Sequence, residues 1–209
     1  MRVLHVDASA RTESSYSREL SRTFIDALRA RIPSLVIDRL DLAVDTPRHI
    51  GLLETAAIAT PEADHTLEMR AAIADSEAIV ARVLAADALV IGTPIYNFGM
   101  PSTLKAFFDH VSRNGKTFIA DENGMRGLLG DKRAAVLVAA GGAYGPDDMF
   151  EGLDCLTPHA KAILGFMGIS DPAFIFARPL MFAGPQAADI SLAQATVEAE
   201  TLAHTWGVR

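Results

Sequence analysis

A serine-rich segment, residues 8–17, holds the first side chains whose types suit ligand chemistry. Its hydroxyls include Ser9, Ser15 and Ser17, and a helical pattern of apolar residues follows directly. A helix N-terminus offers unpaired N–H groups and the positive end of the helix dipole, which both favour a bound anion. The segment lacks the glycines of a dinucleotide fingerprint and the Gly-Lys-Ser/Thr of a triphosphatase loop. It predicts a site for a terminal monophosphate, with a plain loop and helix cap as the alternative.

A second segment, residues 92–102, combines two aromatic side chains, an amide and two prolines in a short stretch. Each proline fixes φ and stiffens the backbone around it. Aromatic side chains beside an amide at a loop tip suit a planar ring with polar edges, although a buried turn would have the same composition. The residues at the centre of this segment are Pro94, Ile95, Tyr96, Asn97 and Phe98.

A third segment begins Ala139-Ala140-Gly141-Gly142 and continues to Tyr144. Paired glycines allow the backbone to come close to a ligand, because neither residue carries a Cβ. The same pair is also typical of a plain turn, so on its own this segment only indicates where a ligand has room to approach.

The elements that must position these segments alternate between strands and helices. Continuous apolar runs predict strands at residues 3–6, 35–37, 88–91, 134–138 and 173–176. Helical spacing predicts a first helix that Ser17 caps and Pro33 ends. Further helices are predicted at residues 61–86, 102–112, 153–167 and 186–205. Residues 41–60 show no clear period and are predicted to be a long connection.

Strands that are apolar throughout are typical of a parallel sheet that is covered on both faces. The sequence therefore predicts a doubly wound α/β sheet of five strands, in one domain spanning residues 1–209. Ligands of such sheets bind beyond the carboxyl ends of the strands. The three segments follow the first, third and fourth predicted strands, so we expect them to meet at one edge of the sheet.

The overall composition argues against several classes of protein. A single cysteine, Cys155, leaves no internal disulfide and is typical of a reducing cytoplasm. A net charge of −7 argues against a nucleic-acid partner, which requires a surplus of Lys and Arg. No apolar stretch reaches the roughly 20 residues of a spanning helix, so no membrane association is expected. The histidines show no spacing typical of metal ligands, so no metal is predicted.

Further motifs accompany the three segments. They are residues 104–109, an insertion at 117–129 that includes Glu122-Asn123-Gly124, and Leu164-Gly165-Phe166-Met167-Gly168-Ile169. In this combination, the sequence resembles the flavodoxin-like FMN-dependent NADH:quinone oxidoreductases, also called FMN-dependent NADH-azoreductases, over nearly its whole length. The resemblance implies a flavodoxin-like sheet with the strand order 2-1-3-4-5.

The resemblance also implies an oxidoreductase that moves a hydride from NADH or NADPH to FMN and then to a quinone, or to an aromatic azo compound. It implies no side-chain nucleophile, and Tyr144 is a candidate contact to the acceptor. The resemblance implies that the phosphate of FMN contacts Ser9, Ser15, Tyr16 and Ser17. It implies that the flavin ring contacts residues of the other two segments, namely Pro94, Ile95, Tyr96, Asn97, Phe98, Ala139, Ala140, Gly141 and Gly142.

Two subunits form the site together in the resembled family, so the resemblance implies a homodimer with the 117–129 insertion near the partner's flavin. Phe118 and Ile119 lie among polar residues in that insertion, and a single subunit is expected to give them little to pack against.

The sequence departs from the family pattern in four places. Tyr16 stands where Gln is common, Ala139-Ala140 where Ser-Arg often occurs, Ala120 where some members have an aromatic residue, and Tyr144 where some have His. These changes bear on the range of substrates. A flavodoxin-type electron carrier, a general NAD(P)H:FMN reductase and a flavin-free domain of the same fold are the alternatives.

Overall fold

The computed structural model describes residues 1–122 and 124–207. Its strands are β1 (Arg2–Asp7), β2 (Val36–Asp41), β3 (Ala88–Pro94), β4 (Phe118–Asp121), β5 (Gly124–Gly127), β6 (Arg133–Ala139) and β7 (Ala173–Ala177). Its α-helices are α1 (Tyr16–Arg31), α2 (Leu52–Ala59), α3 (Leu67–Ala72), α4 (Ala74–Ala85), α5 (Ser102–Val111), α6 (Leu156–Phe166) and α7 (Pro185–Trp206). A short 3-10 helix, Glu62–Asp64, lies between α2 and α3.

Five of the strands form one parallel sheet in the order β2-β1-β3-β6-β7. Counted without the β4–β5 hairpin, this is the predicted order 2-1-3-4-5, so both the five-stranded parallel sheet and its order are confirmed. The central strands β1, β3 and β6 are buried along almost their whole length. Burial on both faces explains why they read as continuous apolar runs.

Alternate residues of the central strands pack into two separate hydrophobic cores, one on each face of the sheet. On one face, Leu4 and Ile91 pack with apolar residues of α4, α5 and α6. On the other face, Val3 and Val90 pack with α1 and α7, where the ring of Phe24 meets Trp206 edge to face at 5.0 Å. The helices therefore cover both faces, as the doubly wound arrangement requires.

Helix α1 lies unusually close to the sheet where it crosses β3 at Gly92. A Cβ on this glycine would come within 2.7 Å of the Ser21 hydroxyl and 2.8 Å of the Ser17 carbonyl oxygen. Because real Cβ contacts are not that short, the sequence needs glycine here for the first turns of α1 to reach the sheet. The approach places the beginning of α1 at the carboxyl end of β1.

The boundaries of two predicted helices and of one predicted connection are wrong. Ser17 is not the N-cap of α1: Ser15 holds that position with an extended φ of −109°, and the helix begins at Tyr16. The predicted helix at 61–86 is divided into the 3-10 helix, α3 and α4, and the predicted connection at 41–60 contains α2.

Local side-chain hydrogen bonds explain the break before α3. The Nε2 atom of His65 lies 2.8 Å from the Ala57 carbonyl oxygen and 3.0 Å from that of Thr60, at the end of α2. The Thr66 hydroxyl accepts the N–H of Met69 and caps α3. Such bonds compete with a continuous helix and set new ends.

The insertion at 117–129 forms the β4–β5 hairpin, with Phe118 paired to Gly127 and Asp121 to Gly124. Asn123, part of the motif in this insertion, lies outside the described residues. The ring of Phe118 packs on Phe166 at 4.4 Å between centroids.

Backbone contact also anchors the base of the hairpin, since a Cβ on Gly127 would lie 2.0 Å from the backbone nitrogen of Gly168. The expectation that one subunit gives Phe118 little to pack against is therefore wrong, because α6 and the turn after it support the hairpin base. By contrast, Met125 in β5 is 65% exposed. Among the residues that the structure describes, no helix has the length and apolar character needed to cross a membrane.

Candidate functional site

The three segments singled out in the sequence meet at the carboxyl edge of the sheet, as predicted. The N–H of Ala8 donates to the Gly92 carbonyl at 2.8 Å, and the N–H of Ile95 donates to the Ala139 carbonyl at 2.9 Å. The hydroxyls of Ser9 and Tyr96 lie 3.5 Å apart. These contacts join the loops after β1, β3 and β6 into one continuous surface.

The serine-rich loop presents the N-terminus of α1. Its first helical hydrogen bond runs from Glu19 N–H to the Ser15 carbonyl, and the Ser15 side chain caps nothing. The N–H groups that precede Glu19 therefore have no acceptor within the helix. The Ser15 and Ser17 hydroxyls are buried and lie 3.4 Å apart, whereas the side chain of Tyr16 is exposed. The donors gathered here, hydroxyls and helix N–H groups, fit the phosphate of FMN.

The segment after β3 makes a tight turn with unusual backbone angles. Tyr96 and Gly99 exchange two backbone hydrogen bonds of 2.9 Å each, and the two residues between them, Asn97 and Phe98, have φ of 46° and 70°. Positive φ at both central positions is the feature of a type I′ turn. A phenylalanine rarely adopts such a φ, so this loop stores local strain.

A hydrogen bond from a neighbouring loop holds that turn in place. The N–H of Cys155 donates to the Phe98 carbonyl at 2.9 Å. Pro94 and Ile95 are half-buried, and the Tyr96, Asn97 and Phe98 side chains are exposed at the rim. The segment is thus a stiff platform with aromatic side chains facing outwards, which fits one side of a flat ring.

The segment after β6 is tied to the loop that follows β7. The Gly141 carbonyl accepts N–H groups of Leu180, Met181 and Phe182 at 3.0–3.2 Å. Ala139 and Ala140 are buried, and the N–H of Ala140 donates to the Ala177 carbonyl at 3.0 Å. A Cβ on Gly142 would lie 2.2 Å from the ring of Phe150. The paired glycines therefore serve a close approach between two parts of this chain.

An aromatic cluster covers that glycine. The ring of Phe150 lies 5.9 Å from Phe98, 5.6 Å from Tyr144 and 5.2 Å from Phe182, measured between centroids. Phe182 and its neighbour Met181, which no sequence motif indicated, are 63% and 73% exposed. Both residues lie in the loop after β7, the fifth strand of the sheet. That position could have indicated their place at the site, because the loop after every parallel strand reaches the same edge.

Tyr144 takes a defined place in this cluster. Its φ is 59°, and its backbone N–H donates to the Asp148 carboxylate at 2.6 Å. Burial raises the pKa of its phenol, and the carboxylates of Asp154 and Asp148 raise the pKa further. A phenol of ordinary pKa is already protonated at neutral pH, and this shift keeps Tyr144 a hydrogen-bond donor at higher pH as well.

A buried network of charges that sequence reasoning missed lies beneath the serine-rich loop. Asp7, at the end of β1, is 1% exposed and accepts hydrogen bonds from Arg39 at 2.9 Å and from Ser21 at 3.2 Å. Burial alone would raise its pKa, but His5, Arg39 and the nearby Arg18 guanidinium lower it to about 2. In the sequence, this network could have been inferred from two polar residues, His5 and Asp7, on one face of an otherwise apolar strand.

Other features of the described residues do not compete with this site. No group of three or more His, Cys, Asp or Glu side chains within residues 1–122 and 124–207 is arranged to hold a metal ion. A cavity of about 420 Å³ near Met1, Asp87 and Trp206 lies at the amino end of the sheet. That end is opposite to the one where parallel sheets bind ligands.

Comparison with known proteins agrees with the sequence resemblance. The model of a family described by its flavodoxin-like fold matches residues 1–202. An FMN-dependent NADH:quinone oxidoreductase of Azotobacter vinelandii is 42% identical over 183 residues, which are 88% of this chain and 90% of that protein. One from Nostoc sp. is 39% identical over 194 residues, 92% of this chain and 93% of that protein. An azoreductase crystal structure from Bacillus anthracis str. Sterne has a TM-score of 0.89 and 27% identity, and covers 98% of this chain and 99% of its own.

The buried charge of Asp7 predicts a pH-dependent part of the stability. Its pKa of about 2 lies below its ordinary value of 3.8, so its contribution is complete above about pH 4 and is lost as the pH falls towards 2. We expect Asp7→Asn to lower the free energy of unfolding at pH 7 by about 2 kcal/mol, and by less at pH 3. Urea unfolding at both pH values measures the difference.

The control is Asp26→Asn, which changes an exposed carboxylate on α1 and is expected to leave the wild-type pH profile unaltered. If Asp7→Asn and the wild type lost stability in parallel between pH 7 and pH 3, the proposed pairing of Asp7 would be wrong.

Proposed function

Because this chain belongs to the family of FMN-dependent NADH:quinone oxidoreductases, we propose that it transfers a hydride from NADH to a quinone through bound FMN. The observation that carries the proposal is the meeting of three loops at the carboxyl edge, where a helix N-terminus, a strained aromatic turn and a glycine pair adjoin. Bound FMN supplies the redox chemistry, accepting the hydride and passing it to the acceptor.

The serine-rich loop binds the phosphate in this proposal. The hydroxyls of Ser9, Ser15 and Ser17 donate hydrogen bonds, as do the backbone N–H groups of Tyr16 and Ser17. The dipole of α1 adds a partial positive charge at the same place. A phosphate held in this way needs no cluster of basic side chains, which agrees with the chain's net charge of −7.

The other two loops hold the ring. The segment of residues 94–98 supports one side of the flavin ring, and the backbone of residues 139–142 borders the polar edge of that ring. Backbone N–H groups near Asn97, Gly141 and Gly142 would donate hydrogen bonds to that edge and would stabilise negative charge there, as donors do in an oxyanion hole. No side chain acts as a nucleophile.

The aromatic cluster defines the acceptor side. Phe98, Phe150 and Phe182, with the exposed side chains of Met149 and Met181, make an apolar mouth that suits a flat, largely apolar quinone. The protonated phenol of Tyr144 can donate to an acceptor oxygen. Aromatic azo compounds share the flat apolar shape, and the similarity to a solved azoreductase supports them as a second class of acceptor.

The same mouth favours an enzyme over a flavodoxin-type carrier that docks protein partners. A carrier passes single electrons at an acidic surface, whereas the rim here is aromatic and thioether-rich.

NADH is the donor in the proposal because it appears in the names of both relatives, and NADPH is the alternative donor. We further propose a cytoplasmic location, on the basis of the free Cys155, and neither nucleic acid nor membrane as a partner.

Reduction of the loaded protein tests the proposed reaction. After purification with FMN, anaerobic addition of NADH should bleach the yellow flavin absorbance, and benzoquinone should restore it, because the proposed reaction moves a hydride from NADH to the flavin and then to the quinone. Methyl red in place of benzoquinone tests the azo acceptors. A protein that takes up no FMN would refute the proposal, and bound FMN that only dithionite bleaches would indicate the electron carrier instead.

We also propose a homodimer in which the β4–β5 hairpin of each subunit approaches the partner's flavin. The exposed Met125 of β5 supports this, because α6 anchors the hairpin base and leaves this apolar side chain uncovered.

Light scattering should give twice the mass of one chain, and Met125→Glu should weaken the dimer and lower the activity per subunit. Val197→Glu, at an exposed position on α7, is the control and should change neither. A fully active monomer would contradict the shared site.

A further inference from the structure

The side chain of Arg18 connects the serine-rich loop to the interior of the protein, and we propose that it is the positioning residue that sets the loop's phosphate-binding conformation. Arg18 lies in the first turn of α1, yet it is only 9% exposed. Its Nη2 donates a hydrogen bond to the Ser9 carbonyl oxygen at 2.7 Å. The guanidinium therefore contacts the backbone of the loop on its buried side.

This contact determines how one peptide group of the loop is turned. In a trans peptide the C=O and N–H bonds point in opposite directions. Because Arg18 holds the Ser9 carbonyl inwards, the N–H of Ala10 points away from Arg18. The Ser9 hydroxyl also accepts the N–H of Arg11 at 3.2 Å, so the first residues of the loop are fixed on both sides. Without the guanidinium, the Ser9 carbonyl would lose the hydrogen bond that holds it inwards.

Two carboxylates hold the guanidinium where it is needed. Asp41, at the end of β2, accepts hydrogen bonds from Nη1 at 2.6 Å and Nη2 at 2.7 Å. The carboxylate of Asp7 lies 3.6 Å from Nη1 of Arg18, and it also accepts a hydrogen bond from Arg39. One Asp41 oxygen also accepts the N–H of Ala43 at 3.1 Å. Arg18 is thus tied to the ends of both β1 and β2.

The charge balance separates this role from that of an arginine that binds phosphate directly. Two carboxylates face two guanidinium groups, Arg18 and Arg39, so little positive charge is left over for a phosphate. The Nε of Arg18 is buried without a hydrogen-bond partner among the described residues, which costs stability. The side chain therefore acts through the position it gives to the loop.

The inference rests on the proposed function, and the test compares FMN with riboflavin, which has the same ring but no phosphate. Arg18→Lys keeps a positive charge near Asp41 but loses the fork that reaches Asp41 and Ser9 together. We expect it to weaken FMN binding by about tenfold or more, while riboflavin affinity, measured by quenching of flavin fluorescence, stays within about twofold of the wild type. Asp41→Asn should shift the same ratio in the same direction by a smaller factor.

Arg22→Lys, one turn further along α1 at an exposed position, is the matched control and should leave both affinities unchanged. Circular dichroism reports whether each variant is folded, and if Arg18→Lys does not fold, the ratio for Asp41→Asn decides. An unchanged ratio of FMN to riboflavin affinity, or a parallel loss of both, would overturn the role of Arg18. A wild type that binds riboflavin as tightly as FMN would instead refute the phosphate site of the proposed function.

Discussion

The ion pairs around the buried carboxylate of Asp7 are the interaction on which the carboxyl edge of this protein depends. A charged group that is 1% exposed has lost its hydration and is tolerated only when opposite charges and hydrogen-bond donors replace it. Here Arg39 comes from β2, Arg18 from α1 and His5 from β1 itself. Satisfying one carboxylate therefore aligns two strands and the first helix.

The rest of the edge follows from that alignment. Gly92 allows α1 to lie close to β3, which places the unpaired N–H groups of the helix beside the end of β1. The turn at Asn97 and Phe98 adopts a strained conformation that the Cys155 N–H and the Tyr96–Gly99 pair hold. Rigid neighbours thus maintain a surface that an isolated loop of the same sequence would not keep, and a preorganised surface loses less entropy when it binds a ligand.

Much of the fold could be predicted from the sequence because the central strands are buried on both faces and read as apolar runs. The convergence of the three loops also followed, since the carboxyl ends of parallel strands share an edge. The strand order came from the resemblance, because no apolar run carries information about its neighbours. The break before α3 was missed, since it depends on hydrogen bonds of His65 and Thr66 that periodicity does not reveal.

The contacts that hold the site were the least predictable part. Arg18 and Asp41 are 23 positions apart and belong to different elements, so only the folded chain brings them together. In the sequence the glycine pair indicated only room for a ligand, and in the structure the ring of Phe150 fills the space that a Cβ on Gly142 would occupy. Phe182 has no motif of its own and takes part only because the Gly141 carbonyl binds the loop after β7.

The most direct test of the account is a crystal structure of the protein grown with FMN. We expect the phosphate of FMN at the N-terminus of α1, within hydrogen-bond distance of Ser15 and Ser17, and the flavin ring between the loops after β3 and β6. Density for the phosphate or the ring outside these three loops would contradict it.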